Sequence, residues 1–419
     1  MRNWRLPLPI RPGWLPRLAL LAACLLSAGG CVGPTAVRST RLKYNEAVRV
    51  TNDEQILTNL VRLRYADSPV FIDLPNITSQ FELAAGGSDP GRAGSQSNFG
   101  IVGLTGRDAP TLSYHPRQGR EISRALLNPL SADVYSIATA GARLEQFFWM
   151  TLNDINDVQN AVRGTILAPH SPDDNARFLR GVRLLEEVDD RGGLEIGYVT
   201  TEETRGASDP IPAALVEGRD LLGAAKDGYV YRDKGDGKVA LYKRERGLEL
   251  KVRSAFARSP EMREVAEIFN LTPGLGRYRI ESELQPNAQS SIPGALPGGD
   301  TLYLNLRSML QVMTFMSKGV CVPVEHVLSG EAPTTPGLEG RPFDWTSITA
   351  GNFFVASQKH RPSAAEAEVA IHYRGYWYFI RKTDVESRSA LAVLEILFTL
   401  QESEDVASGP VLTLPASVR

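Results

Sequence analysis

The side chains with the most chemical potential lie toward the C-terminal end of the sequence. Met309, Met313 and Met316 fall at i, i+4 and i+7, which stacks three thioethers on one helix face, and Cys321 follows just past Gly319. Thioether and thiolate ligands select Cu(I), so these four form a candidate soft-metal site. Leu306 and Leu310 share the stripe, and methionine also fills gaps in ordinary cores. Cys321 with His326 is a candidate nucleophile–base pair; the alternative is a small buried cysteine in a strand over 320–324. Tyr373, Tyr376, Trp377 and Tyr378 crowd one hairpin. Aromatic faces bind sugar rings, and cross-strand aromatic pairs also stabilise hairpins. Strand alternation puts Tyr376 and Tyr378 on one side and Trp377 on the other, so at most one face is a candidate glycan platform. Asp154 and Asp157 are candidates to share a cation.

Established catalytic patterns are missing from the sequence. It has no Gly-x-Ser-x-Gly elbow, no His-Glu-x-x-His, no phosphate-binding loop and no Ser-x-x-Lys. Glu325-His326 lacks the second histidine that would place two ligands on one helix face, and glycines replace the carboxylates a calcium loop needs in Asp233 to Asp236. His115, His170, His326, His360 and His372 are scattered without ligand spacing. The expectation is a chain with no cofactor and no catalytic residue of its own.

The N-terminal end carries an address. Arg2, Arg5, Arg11 and Arg17 precede a short apolar run, Leu18 to Leu26, and then Ser27-Ala28-Gly29-Gly30 before Cys31. A positive stretch, a run of roughly 7–15 apolar residues and small residues in that order form a secretory signal, too short to span a bilayer. Cys24 follows the better local lipobox (Leu21-Ala22-Ala23), but only six residues separate Arg17 from it. Cys31 leaves a full-length apolar run and is the expected lipidation site. Val32 rather than aspartate after Cys31 points to the outer membrane. Residues 1–30 then read as signal peptide and 31–40 as a polar, lipidated tether.

Composition supports an ordinary globular body. Hydrophobic residues are 42% and charged residues 22% of the chain, outside the disordered range. The net charge is −2 and becomes more acidic once the signal arginines leave, which argues against nucleic acid as a partner. Cys321 is the only cysteine left after the signal and Cys31, so no internal disulfide is expected.

The elements expected to position these residues give an α+β fold of several small α/β modules with mainly antiparallel sheets. Thr51 to Glu54 reads as a capping box before the stripe Ile56, Leu57, Leu60 and Val61, and Thr383 to Glu386 as another before the last helix. Stretches over 70–83, 99–104 and 111–115 read as strands around a Gly/Ser-rich loop at 84–98. Residues 147–155 fit either a strand or a helix. Ser171 and Ser259 are expected helix caps, Lys234 to Gly237 a hairpin turn, and Leu248, Leu250 and Val252 the buried side of a strand. The order over 169–284 approaches βαββαβ, the ferredoxin-like sandwich, with one strand too many. The Pro/Gly/Ser-rich stretch at 285–300 reads as a linker. The expected domains are 41–168, 169–284 and 301–404, with a tail at 405–419.

Three segments, Tyr44 to Phe71, Pro110 to Leu130 and Val369 to Gln401, resemble a family of proteobacterial exported lipoproteins. The resemblance covers most of the exported chain. It implies the address and no activity, so no site residue follows from it. The expectation is a lipid-anchored protein on the periplasmic face of the outer membrane. It would bind the bilayer through its lipid and act as a non-enzymatic binding or assembly component of an envelope complex. The alternative is an envelope-polymer hydrolase whose site is assembled from distant residues.

Overall fold

A computed structural model of the chain describes residues 32–86, 103–116, 120–131, 134–139, 141–161, 175–203, 209–282, 299–336 and 341–403. The expected signal peptide at 1–30 with Cys24, the expected lipidation site Cys31, His170, the Ser171 cap, nearly all of the expected 285–300 linker and the expected 405–419 tail lie outside them. The fold is α+β, as the sequence indicates, with mixed but mostly antiparallel sheets. It divides into two units, Met1–Gln55 and Ile56–Arg419.

Helix α1 spans Val32–Arg64. Residues 32–40, expected to form a polar tether, have helical backbone, with Pro34 in the first turn, where an amide hydrogen is not needed. The Thr51 capping box does not form either. Thr51 sits inside the helix, and its hydroxyl donates to the carbonyls of Ala47 and Val48 at 2.9 and 3.0 Å. Arg49 bridges Glu46 and Asp53 on the same helix, both at 2.8 Å.

In the second unit, β1 (Ile72–Gly86) and β2 (Gly103–Pro116) form a separate antiparallel pair. Helices α2 (Arg120–Leu127) and α3 (Tyr135–Thr139) follow. The stretch that fitted helix or strand is both: α4 (Leu144–Thr151) runs into β3 (Leu152–Ile155), and β4 is Val158–Gln159. Next come α5 (Ala176–Asp190), β5 (Leu194–Glu203), β6 (Ile211–Pro212), α6 (Gly218–Lys226), β7 (Tyr229–Gly235) and β8 (Lys238–Val252). Helix α7 (Pro260–Ile268), β9 (Arg277–Ser282) and β10 (Thr301–Leu306) complete this part.

The main sheet runs β4-β3-β10-β9-β8-β5, with β6 and β7 paired to the far end of β8. One face is apolar: Leu248, Leu250, Tyr278, Ile280, Leu302 and Leu304 are buried, while their neighbours Lys251, Arg277, Arg279 and Glu281 are not. This is the period-2 signature of a half-buried sheet.

Two expectations change here. Strands β3, β5–β9 and β10 come from all three expected domains, yet they share one sheet and one apolar core running from Ile56 to Leu397. The expected linker separates β9 from β10, which lie side by side and parallel. Strand β10 is buried at Thr301, Leu302, Leu304 and Leu306, so its backbone groups must find ladder partners inside this sheet. The middle segment is also not ferredoxin-like. Its α7 joins β8 to β9, which are adjacent and antiparallel, whereas a split-βαβ fold needs parallel strands across each helix.

The C-terminal part is α8 (Met309–Ser317), α9 (Val324–Leu328), α10 (Thr346–Thr349), the sheet β11-β13-β12 and α11 (Val385–Ser403). Strand β11 is Ala356–Gln358, β12 is Ala367–Tyr373 and β13 is Tyr376–Arg381. The β12–β13 hairpin turns at Arg374 and Gly375, with φ of 45° and 80°, the left-handed pair that a tight hairpin turn demands.

Candidate functional site

The polar centre of the second unit lies where the end of α1 meets the aromatic hairpin. Tyr65 and Asp67 follow the last helical residue of α1, and Ala66 between them takes φ 59°. This left-handed step ends the helix and sends the chain past β12–β13. The Tyr65 hydroxyl lies 2.5 Å from His326 Nδ1 and 2.5 Å from the Tyr378 hydroxyl, so it can donate to one and accept from the other. All three residues are buried. Burial pushes the Tyr378 hydroxyl well above the usual phenol range, and its bond to Tyr65 adds to the shift. Burial raises Tyr65 as well.

An ionic rim closes this centre. Asp67 Oδ2 accepts from the Tyr373 hydroxyl at 2.5 Å and from Arg374 Nη2 at 2.9 Å. Burial works to raise the Asp67 carboxyl, but these two bonds hold it below the usual range. Arg374 reaches Glu331 at 3.4 Å and lies 5.0 Å over the Tyr65 ring. Arg64, one residue before Tyr65, donates to the Pro333 carbonyl at 2.6 Å, and burial lowers its pKa. Lys318, at the end of α8, is lowered to about 8 by burial and by the charge of Arg64.

The residues singled out in the sequence are placed as follows. Tyr378 is fully buried and Tyr376 packs against the core at the His326 ring, 5.2 Å away, so the Tyr376/Tyr378 face is not a glycan platform. Trp377 is on the opposite face, as alternation requires. Met309, Met313 and Met316 are all 0% exposed, whereas Cys321 is exposed, so the structure does not gather the four into a soft-metal site. The methionines fill the core below α8, and the buried-cysteine expectation is also overturned. Val320 makes a single bridge to Val355 in place of a strand over 320–324. His326 gives its Nδ1 to Tyr65, and among the described residues no hydrogen bond joins it to Cys321. Asp154 is buried and accepts from Asn305 Nδ2 at 3.0 Å, whereas Asp157 is exposed in the β3–β4 turn, so the two do not share a cation site. No cluster of three His, Cys, Asp or Glu side chains suited to a metal occurs among the described residues.

Sequence reasoning missed Tyr65, Asp67 and Arg374. Their only local sign is a polar run, Arg64-Tyr65-Ala66-Asp67, directly after an apolar helical stripe; the partners lie some 260–310 positions away. It also missed Arg307, buried at 1% exposure behind β10. Comparison with known proteins gives no match to a family model, a curated protein or a solved structure.

One further surface stands out. Beyond residue 243, toward its N-terminal end, β8 projects past β5 and carries β6, a 3-10 turn (Ala213–Leu215), α6 and β7. Neither the 3-10 turn nor α6 has a buried residue. Ile211, Leu215, Leu221 and Leu222 are exposed on this arm.

Proposed function

We propose that the chain is a lipid-anchored envelope protein, attached through Cys31 to the periplasmic face of the outer membrane, and that it acts as a non-enzymatic binding or assembly component of an envelope complex. The address rests on the signal-like N-terminus and on Val32 after the cysteine. The observation that carries the binding role is the β6–α6–β7 arm. A helix with no buried residue and two adjacent exposed leucines gains little stability from its own fold, and apolar side chains grouped in this way mark interaction sites.

Two measurements test the reading together. A clickable fatty-acid probe should label the wild-type chain and fail to label Cys31→Ser; labelling that survives in Cys31→Ser and vanishes in Cys24→Ser refutes the anchor site. A photo-crosslinking residue at position 222 should give discrete higher-mass adducts in intact cells, lost on Leu221→Asp. Crosslinks no stronger than those from an exposed position on β9, such as 277, refute the arm as the binding element.

A further inference from the structure

The open face of the β11-β13-β12 sheet carries a row of three side chains fixed by register. Gln358 on β11 and His372 on β12 are both paired with Trp377 on β13. Deeper along this face Phe379 packs with Ala356, Ala367, Phe354 and Ala370 in a small second cluster. Toward the hairpin end Trp377 emerges, half-buried. The Arg361 guanidinium stands 5.1 Å from its ring centre, and the His372 ring 5.3 Å away at 57°. Lys359, next after Gln358, lies 5.8 Å from the ring of Tyr376 on the opposite face. Lys359, Arg361 and His372 are exposed, and among the described residues none has a carboxylate within 4.0 Å. Glu368 on β12 lies 4.0 Å from Arg388.

We propose that Trp377, flanked by Gln358, His372 and Arg361, binds an acidic saccharide, a sugar ring bearing a carboxylate. Each part of such a ligand meets a suitable group. An indole face takes the apolar C–H side of a pyranose ring, where stacking contributes beyond simple burial. The Gln358 amide both donates and accepts, as ring hydroxyls require. A guanidinium held beside an aromatic ring presents its planar donors to a carboxylate in paired fashion, which a lysine cannot match. Among the described residues Arg361 has no carboxylate within 4.0 Å, so an anion would not have to break an ion pair there. Aromatic rings among basic residues also suit single-stranded nucleic acid, but that mode needs a positively charged groove along the backbone, and this chain is net acidic at −2. The site is independent of the lipid anchor and of the β6–α6–β7 arm.

The test is titration of the full chain with a tetramer of galacturonic acid, followed by ligand-observed NMR and calorimetry. The neutral galactose tetramer and a single-stranded oligonucleotide of equal charge serve as comparators. The acidic tetramer should bind at least tenfold more tightly than either. Trp377→Ala should weaken it tenfold or more, and Arg361→Gln, an exposed change that leaves the sheet intact, fivefold or more. Equal binding by the neutral tetramer, equal or tighter binding by the oligonucleotide, unchanged affinity in Arg361→Gln, or no binding to the wild-type chain overturns the proposal. If Trp377→Ala loses its cooperative melting transition, Trp377→Phe replaces it, with an expected intermediate affinity; wild-type affinity in that variant overturns the stacking role.

Discussion

Replacing Arg307 by methionine tests how the core around α4 is closed. Arg307 Nη1 donates to the carbonyls of Trp149 and Met150, both at 3.0 Å, and Nη2 donates to that of Ala161 at 2.8 Å. The first two belong to the last turn of α4, whose carbonyls lack partners within the helix, so the guanidinium acts as a buried C-terminal cap. It also lies 3.9 Å over the Phe315 ring. Methionine keeps much of that packing and removes every donor. Trp149 retains Asn160 Nδ2 at 2.8 Å, leaving Met150 and Ala161 as the carbonyls that lose most. Two buried carbonyls without this partner cost about 2–6 kcal/mol. Relief of the buried charge works in the opposite direction: burial draws Arg307 down to about 9, with Asp154 pulling it back up. A net loss of about 2–4 kcal/mol follows. With about 2.1 cal/mol/K per residue over roughly 360 residues, that lowers Tm by about 3–5 °C. Arg307→Lys should not recover it, because one ammonium cannot span three carbonyls. Calorimetry of the full chain measures both variants. A Tm for Arg307→Met at or above wild type would refute the capping argument.

Three further outcomes are expected. Gly181→Ala in α5 should destabilise the fold by about 1–3 kcal/mol, because the new methyl would meet the Phe269 ring at 2.5 Å; a stabilised variant would mean that the ring moves aside freely. Lys318→Met should raise stability most below pH 8, and its advantage should shrink as pH climbs from about 8 toward 10.5. The folded lysine, lowered to about 8, is neutral over that range while the unfolded one still binds a proton, so wild-type stability rises with pH; thermal melts at pH 7, 9 and 10 with a constant gap contradict this. Met313→Leu should cost under about 1.5 kcal/mol, since the side chain fills core space, and a Cu(I) titration against a competing chelator should give the same result for wild type and variant.

The features legible in the sequence are those whose cause lies within a few residues. Ser259 caps α7 by accepting from the Met262 amide, as Ser-Pro before a helical stripe implies. The turn at Lys234 to Gly237 joins β7 to β8, with Gly235, Asp236 and Gly237 all at positive φ. Alternation alone separated Trp377 from Tyr376 and Tyr378. Some local signals pointed one step wide. The last helix is capped by Asp384, whose carboxylate accepts from the Ser387 amide, and not by Thr383. Helix α8 begins after the Ser308–Gln311 capping box, while Leu306, counted in the methionine stripe, belongs to β10. An apolar residue fits both periods, and only strand pairing decided between them.

Tertiary structure decided the rest. Whether Gly181 is a weak helix residue or a contact point depends on Phe269, which arrives just past the end of α7. The parallel pairing of β9 with β10 puts strands from either side of the apparent linker into one sheet and merges the expected domains. Tyr65 finds His326 and Tyr378, and Arg361 finds Trp377, only once their elements pack. The physical reason is common to these cases. Propensity, caps and turns are set by backbone geometry over one or two turns of chain, and a sequence window contains them. A buried hydroxyl, carbonyl or sheet edge must be satisfied by whatever packing brings alongside, and its partner's distance along the chain carries no local signal.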